Sequence, residues 1–154
     1  MTDTKIHAAH TTTLDANAHR ARAAGTVGAE GAEGAQGALV LDAEALANLA
    51  SLDPTGANRL LQRVLVTYRG SLARLLAQLT LARHQADPVA LRLVTHTLKS
   101  SSASVGALAL SVLCGAAEQA LRDGEVHRLP ALLDQLEAEA TRVDAAVLQL
   151  LSVQ

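Results

Sequence analysis

His96 stands among residues that could make its imidazole a nucleophile. Arg92 precedes it by four positions, while Lys99 follows by three, Ser100 by four and Ala103 by seven, so on a helix all would share its face. A cation one turn away can pair with phosphoryl oxygens, and small neighbours let a second protein bring a reactive group up to the ring. The chemistry that suits these types at this spacing is acceptance of a phosphoryl group by a neutral imidazole. One exposed His beside one Lys is ordinary surface composition, and on those two residues alone that is the better reading, so the elements that hold the pair have to be weighed.

The segment is DPVALRLVTHTLKSSSASVGA. Asp87 followed by Pro88 combines an N-cap with a proline at the first helical position, which predicts a helix from there to about Val105, closed by Gly106. Leu91, Val94, Leu98, Ser101 or Ser102, and Val105 form its inward stripe. His96 lies roughly 160° around the axis from Val94 and Leu98, so it points away from the core. A histidine in that position is not filling a core.

The rest of the chain supplies elements to support that helix. Asp42 is a good N-cap for a short helix carrying Leu46 and Leu49, which ends before Asp53-Pro54. A longer helix, about Gly56 to His84, places Leu60, Leu61, Val64, Leu65, Tyr68, Leu72, Leu75, Leu76 and Leu79 on one stripe. Beyond Gly106, Leu110, Leu113, Cys114, Ala117 and Leu121 mark a fourth helix that stops at Asp123-Gly124. The last, from about Val126, carries Leu129, Leu132, Leu133, Leu136, Val143, Val147 and Leu150, with Pro130 confined to its first turn. Short connections make such helices antiparallel neighbours. The expected fold is all-α: an antiparallel up-down four-helix bundle with an additional short N-terminal helix as a lid.

Composition agrees with this class and narrows the function. Of the 154 residues 49% are hydrophobic but only 1% aromatic, so Leu, Val and Ala must fill the core, and strand formers are scarce. Residues 1–38 include GAEGAEGAQGA and lack large apolar runs, which predicts a flexible low-complexity tail before a domain over 39–154. His7, His10 and His19 in that tail have no carboxylate or thiol at ligand spacing, so no metal site is expected. A net charge of −2 and the lack of stacking aromatics argue against nucleic acid as a partner. Cys114 is the single cysteine and reads as a small buried apolar residue. No apolar run approaches the roughly 18 residues of a membrane span. The opening MTDTKIHAAHTTT lacks the apolar centre of a secretory signal, so a cytoplasmic protein is expected.

Thr95-His96-Thr97-Leu98-Lys99-Ser100-Ser101-Ser102-Ala103-Ser104-Val105-Gly106, followed by Leu110, Cys114 and Glu118, resembles the motif of histidine phosphotransfer (HPt) domains of two-component phosphorelays. In that family an active His is followed three residues on by Lys, then by small residues, then by an apolar residue and Gly. The resemblance runs from about Leu39 to the C-terminus and includes the order and lengths of the helices. Carried onto this chain, it makes His96 the phospho-acceptor and Lys99 the cation that steadies the phosphoryl group. Glu118 falls where the family often has a Glu or Gln that orients the imidazole, although a solvated helix position is the other reading of it. Arg92, Thr95, Ser100 and Ala103 are assigned to partner docking. The family usually has Gly directly after the Lys; Ser100 departs from it while remaining small.

The resemblance implies a carrier that relays phosphoryl groups between aspartates of receiver domains, those of a hybrid sensor kinase and of response regulators. Mg²⁺ would sit on the receiver, with no cofactor or metal on this chain. No P-loop, Gly-rich phosphate loop or acidic pair is present, so no ATP-dependent kinase activity of its own is expected. A monomer is expected. The alternative class is a non-catalytic helical interaction or dimerisation module in which His96 is incidental.

Overall fold

Leu- and Ala-rich segments become helices here, and the turns between them hold residues of positive φ, Gly56 and Arg59, Ala86, Gly106 and Gly124. In a computed structural model, which describes residues 40–153, the helices are α1 (Ala43–Ser51), α2 (Leu60–His84), α3 (Pro88–Ser104), α4 (Leu108–Asp123) and α5 (Leu129–Val153). A 3-10 turn, Val126–Arg128, leads into α5. No strand occurs among the described residues. The tail expected over residues 1–38, with its three histidines, lies outside the described residues.

The caps follow the sequence closely. Asp42 Oδ1 accepts the Ala45 N–H at 2.8 Å to start α1, and Asp87 Oδ1 accepts those of Val89 and Ala90 at 3.1 and 3.0 Å to start α3. Gly124 closes α4 in the left-handed region, φ 71°. The beginning of α2 differs from the expected Gly56. Asp53 Oδ2 accepts the N–H groups of Asn58 and Leu60 at 3.0 and 3.2 Å, and Arg59 takes φ 48°. That turn uses the residues up to Arg59, so the helix starts at Leu60.

Helices α2 to α5 form the expected up-down bundle, each packed on the next and α2 also on α5. Ion pairs record the antiparallel sense of that last contact: Arg69 meets Asp144 through two hydrogen bonds of 2.7 and 3.2 Å, and the later Arg83 meets the earlier Asp134 at 2.6 Å. Leu65, Leu72, Leu79, Leu98, Leu110, Leu136, Val143 and Val147 are sealed in the centre. Burial of side chains of this size stabilises by about 1.5–3 kcal/mol each. Tyr68 adds a polar tie between α2 and α3, its Oη 3.0 Å from Ser102 Oγ.

The short helix is held chiefly by the residues before it, and Leu46 of its own face is only partly buried against the core. Val40 and Leu41 are buried in the core, whereas no residue of α1 is fully buried. Asp42 N–H donates to the Gly106 carbonyl at 2.8 Å. Gly106 has φ 80°, and a Cβ there would lie 3.0 Å from Asp42 N, Asp42 O and Ala45 Cβ. Glycine is therefore needed at the end of α3 for the backbone turn and for the close approach of Val40 to Asp42, the strap that leads into α1.

Candidate functional site

Helix α3 divides as its period requires. Leu91, Val94, Leu98, Ser102 and the following Val105 are buried, and the His96 side chain keeps 63% of its surface exposed. One assigned docking residue is on the wrong side: Thr95 is fully buried. Its position borders the apolar stripe, and its hydroxyl is satisfied inside the helix by donating to the Leu91 and Arg92 carbonyls at 2.9 and 3.1 Å. A small residue that satisfies its own polar group in this way can be buried, so Thr95 cannot form part of a contact surface.

Helix α4 runs antiparallel beside α3 and brings Glu118 to the ring. Glu118 Oε1 lies 3.0 Å from His96 Nδ1, and its Oε2 accepts from Lys99 Nζ at 2.5 Å. Only 9% of the Glu118 side chain is exposed. The solvated-helix reading of this residue is therefore excluded. The Lys99 ammonium is the chief cause holding the Glu118 carboxyl below its ordinary range; the His96 contact adds to it, and burial opposes both. An ionised carboxylate only accepts hydrogen bonds, so the proton in the His96–Glu118 contact belongs to Nδ1. In the neutral ring the lone pair is then on Nε2, which has no hydrogen-bond partner among the described residues.

Three further α4 residues, none of them marked by the motif around His96, shape this arrangement. Ser111 Oγ donates to the Lys99 carbonyl at 2.8 Å, fixing the backbone from which the lysine departs. A Cβ on Gly115 would stand 3.5 Å from Lys99 Cδ, so the lysine stem crosses α4 at a residue without a side chain. Arg122 Nη2 lies 3.7 Å from the same Glu118 Oε1 that faces His96. Once the motif has placed Glu118 beside His96, spacing along α4 could have shown them: Gly115 and Ser111 lie three and seven positions before it and Arg122 four after it, on one face.

Around the imidazole, Arg92, Ser100 and Ala103 are exposed as expected. Val89 and Leu93 on α3 and Val112 on α4 are exposed apolar residues of the same two helices. The Ser100 hydroxyl points back along its helix, donating to the Thr97 carbonyl at 3.1 Å, so it adds little bulk over the ring. Among the described residues no three His, Cys, Asp or Glu side chains are grouped as metal ligands, and no helix is long and apolar enough to cross a membrane.

An exposed His on one helix, steadied by a carboxylate and a lysine across a helix pair, matches the motif read from the sequence. The model of the Hpt domain matches residues 63–146, more than half of the chain. The chain belongs to the Hpt domain family. The crystal structure of histidine-containing phosphotransfer protein B (HptB) from Pseudomonas aeruginosa PAO1 is similar to it over most of its length. The TM-score is 0.68 at 30% sequence identity, covering 75% of this chain and 96% of that one. No curated protein matches the chain. As a member of the Hpt family it is a histidine phosphocarrier of two-component phosphorelays, passing phosphoryl groups to or from receiver domains. It is a carrier rather than an independent catalyst.

Proposed function

We propose that His96 is the residue that carries the phosphoryl group, with Nε2 as the attacking atom. The observation that supports this most directly is the Nδ1–Glu118 hydrogen bond of 3.0 Å. It commits one ring nitrogen to a buried carboxylate and leaves the other on the exposed side. In the transfer a receiver's phosphoaspartate docks over α3. The Nε2–P bond forms as the acyl-phosphate P–O bond breaks, and the aspartate leaves as a carboxylate. The proton on Nδ1 stays between the ring and Glu118, whose negative charge offsets the positive charge that develops on the imidazole. Lys99 is near enough on the same face to pair with phosphoryl oxygens.

Arg92, Ser100 and Ala103 would form the rim of the docking face. Leu93, 68% exposed, and Val89 would form its apolar part, in keeping with a transient interface. The partners we assign are the receiver domain of a hybrid sensor kinase upstream and those of response regulators downstream, with Mg²⁺ bound by the receiver and this chain acting as a monomer. The carrying domain on this reading is residues 39–154, with 1–38 as its tail.

The test is to incubate the protein and a His96→Gln variant with a phosphorylated receiver domain and Mg²⁺, and to look for acid-labile, alkali-stable label on this chain. Label on the wild type and none on the variant is expected. Label that persists in the variant would place the acceptor elsewhere. No label from several receivers, on folded protein, would favour an interaction module with an incidental His96.

A further inference from the structure

Glu118 is supplied with more cations than one carboxylate needs. Its side chain is nearly buried, yet His96 Nδ1 and Arg122 Nη2 both approach Oε1, at 3.0 and 3.7 Å, while Lys99 Nζ is bonded to Oε2 at 2.5 Å. Lys99 and Arg122 are held differently. The lysine is in full hydrogen-bond contact and 38% exposed. Arg122 is 58% exposed and stands just outside hydrogen-bond distance. Its Nη1 donates to Gln119 Oε1 at 2.9 Å, and Gln119 Nε2 in turn donates to Asp123 Oδ2 at 2.7 Å. That chain keeps the guanidinium beside the site without spending its remaining donors.

This arrangement creates a conflict once His96 is phosphorylated, and in this respect the inference rests on His96 being the acceptor. The lysine that would pair with the phosphoryl oxygens is the one that holds Glu118 in the resting protein. If it turns outward to the phosphoryl group, a nearly buried carboxylate loses its main counter-charge, which is costly unless another cation takes over. The stem can make the move, because it crosses α4 above Gly115, where no side chain obstructs it.

We propose that Arg122 is a positioning residue that replaces Lys99 on Glu118 in the phosphorylated protein, so that the lysine can serve the phosphoryl group without unseating the carboxylate that orients His96. Arg122 needs to close by less than an ångström to bond Oε1. Without it, Glu118 either draws Lys99 back from the phosphoryl oxygens or, less well neutralised, holds the Nδ1 proton on the ring more firmly and keeps more of the phosphoimidazole in its cationic form. Both outcomes loosen the Nε2–P bond, so both shorten the life of the phosphohistidine.

The experiment phosphorylates the full chain with phosphoramidate, a small donor whose N–P bond breaks as Nε2–P forms and ammonia leaves; no receiver is needed. The decay of phosphohistidine is then followed at fixed pH. Arg122→Gln should shorten the lifetime about two- to fivefold, the range of an ion pair of this exposure. Arg122→Lys should restore most of it, and Arg122→Gln should have no effect in a Glu118→Gln background. An unchanged lifetime in Arg122→Gln, or the same shortening with Glu118 already neutralised, would overturn the proposal. Failure of the wild type to form phosphohistidine at His96 would instead overturn the acceptor assignment, and this proposal with it.

Discussion

Glu118 reaches across from α4 to within 3.0 Å of Nδ1 of His96 on α3, two residues 22 apart in sequence. The contact is what distinguishes this histidine from His84 and His127, which are exposed near helix ends and have no hydrogen-bonded carboxylate among the described residues. It fixes the ring's tautomer, and with it which nitrogen would attack if His96 is the acceptor we propose.

Because its folded-state carboxyl is held below the ordinary range, chiefly by Lys99, Glu118 should make stability depend on pH. A depressed carboxyl contributes stability that is fully present above the unfolded value and is lost as pH falls through the folded one. Unfolding free energies followed from neutral pH down to about pH 3 should fall more steeply for the wild type than for Glu118→Gln. Equal slopes would show that the Lys99–Glu118 pair contributes nothing to folding.

Gly106→Ala should be among the more damaging single-methyl additions. The new Cβ meets Asp42 N, Asp42 O and Ala45 Cβ at 3.0 Å, and φ is 80°. A non-glycine residue in that region costs about 1–3 kcal/mol, and here the strap carrying Leu41 must also shift. Denaturant unfolding should show the loss, with protease sensitivity rising in the Val40–Ala45 segment. A variant as stable as the wild type would mean that the strap is not anchored at Gly106.

The Tyr68–Ser102 pair ties α2 to the inner face of α3 at 3.0 Å, and burial is the main cause of the raised Tyr68 hydroxyl pKa. Ser102→Ala leaves that hydroxyl without its partner and should cost about 1–3 kcal/mol. Tyr68→Phe added to it should cost less than the sum of the two single changes, which a double-mutant cycle would measure. Strict additivity would mean that the two hydroxyls do not interact.

Cys114 should be inert in the native protein. Burial, aided by Glu118 and opposed by Lys99, pushes its thiol up to about 12, so almost no thiolate is present at about pH 8. A disulfide reagent should label it only at the rate of global unfolding. Rapid labelling of native protein would show that the α3–α4 interface opens.

The sequence was most informative where a single helix decides the matter. Asp87-Pro88 started α3 where expected, and the 3.6-residue period separated His96 from Leu98 without any knowledge of neighbours. It was less informative across helices. Nothing in the spacing around His96 points to Glu118, which came from the family motif alone. Nor does anything around Lys99 show that its ammonium is already engaged. Thr95 lies inside rather than on the docking face because a threonine at the edge of an apolar stripe can turn either way, and its hydroxyl finds helix carbonyls. Helix α2 starts later than its apolar period suggests because Asp53 reaches seven residues ahead to Leu60, farther than a local N-cap would.

The most direct test of the account is to find which ring atom carries phosphorus. Protein labelled with ¹⁵N at histidine and phosphorylated with phosphoramidate can be examined for ¹⁵N–³¹P coupling. Coupling to Nε2 of His96, with Nδ1 still protonated and its signal altered in Glu118→Gln, is the predicted result. Phosphorus on Nδ1, or on any histidine other than His96, would contradict it.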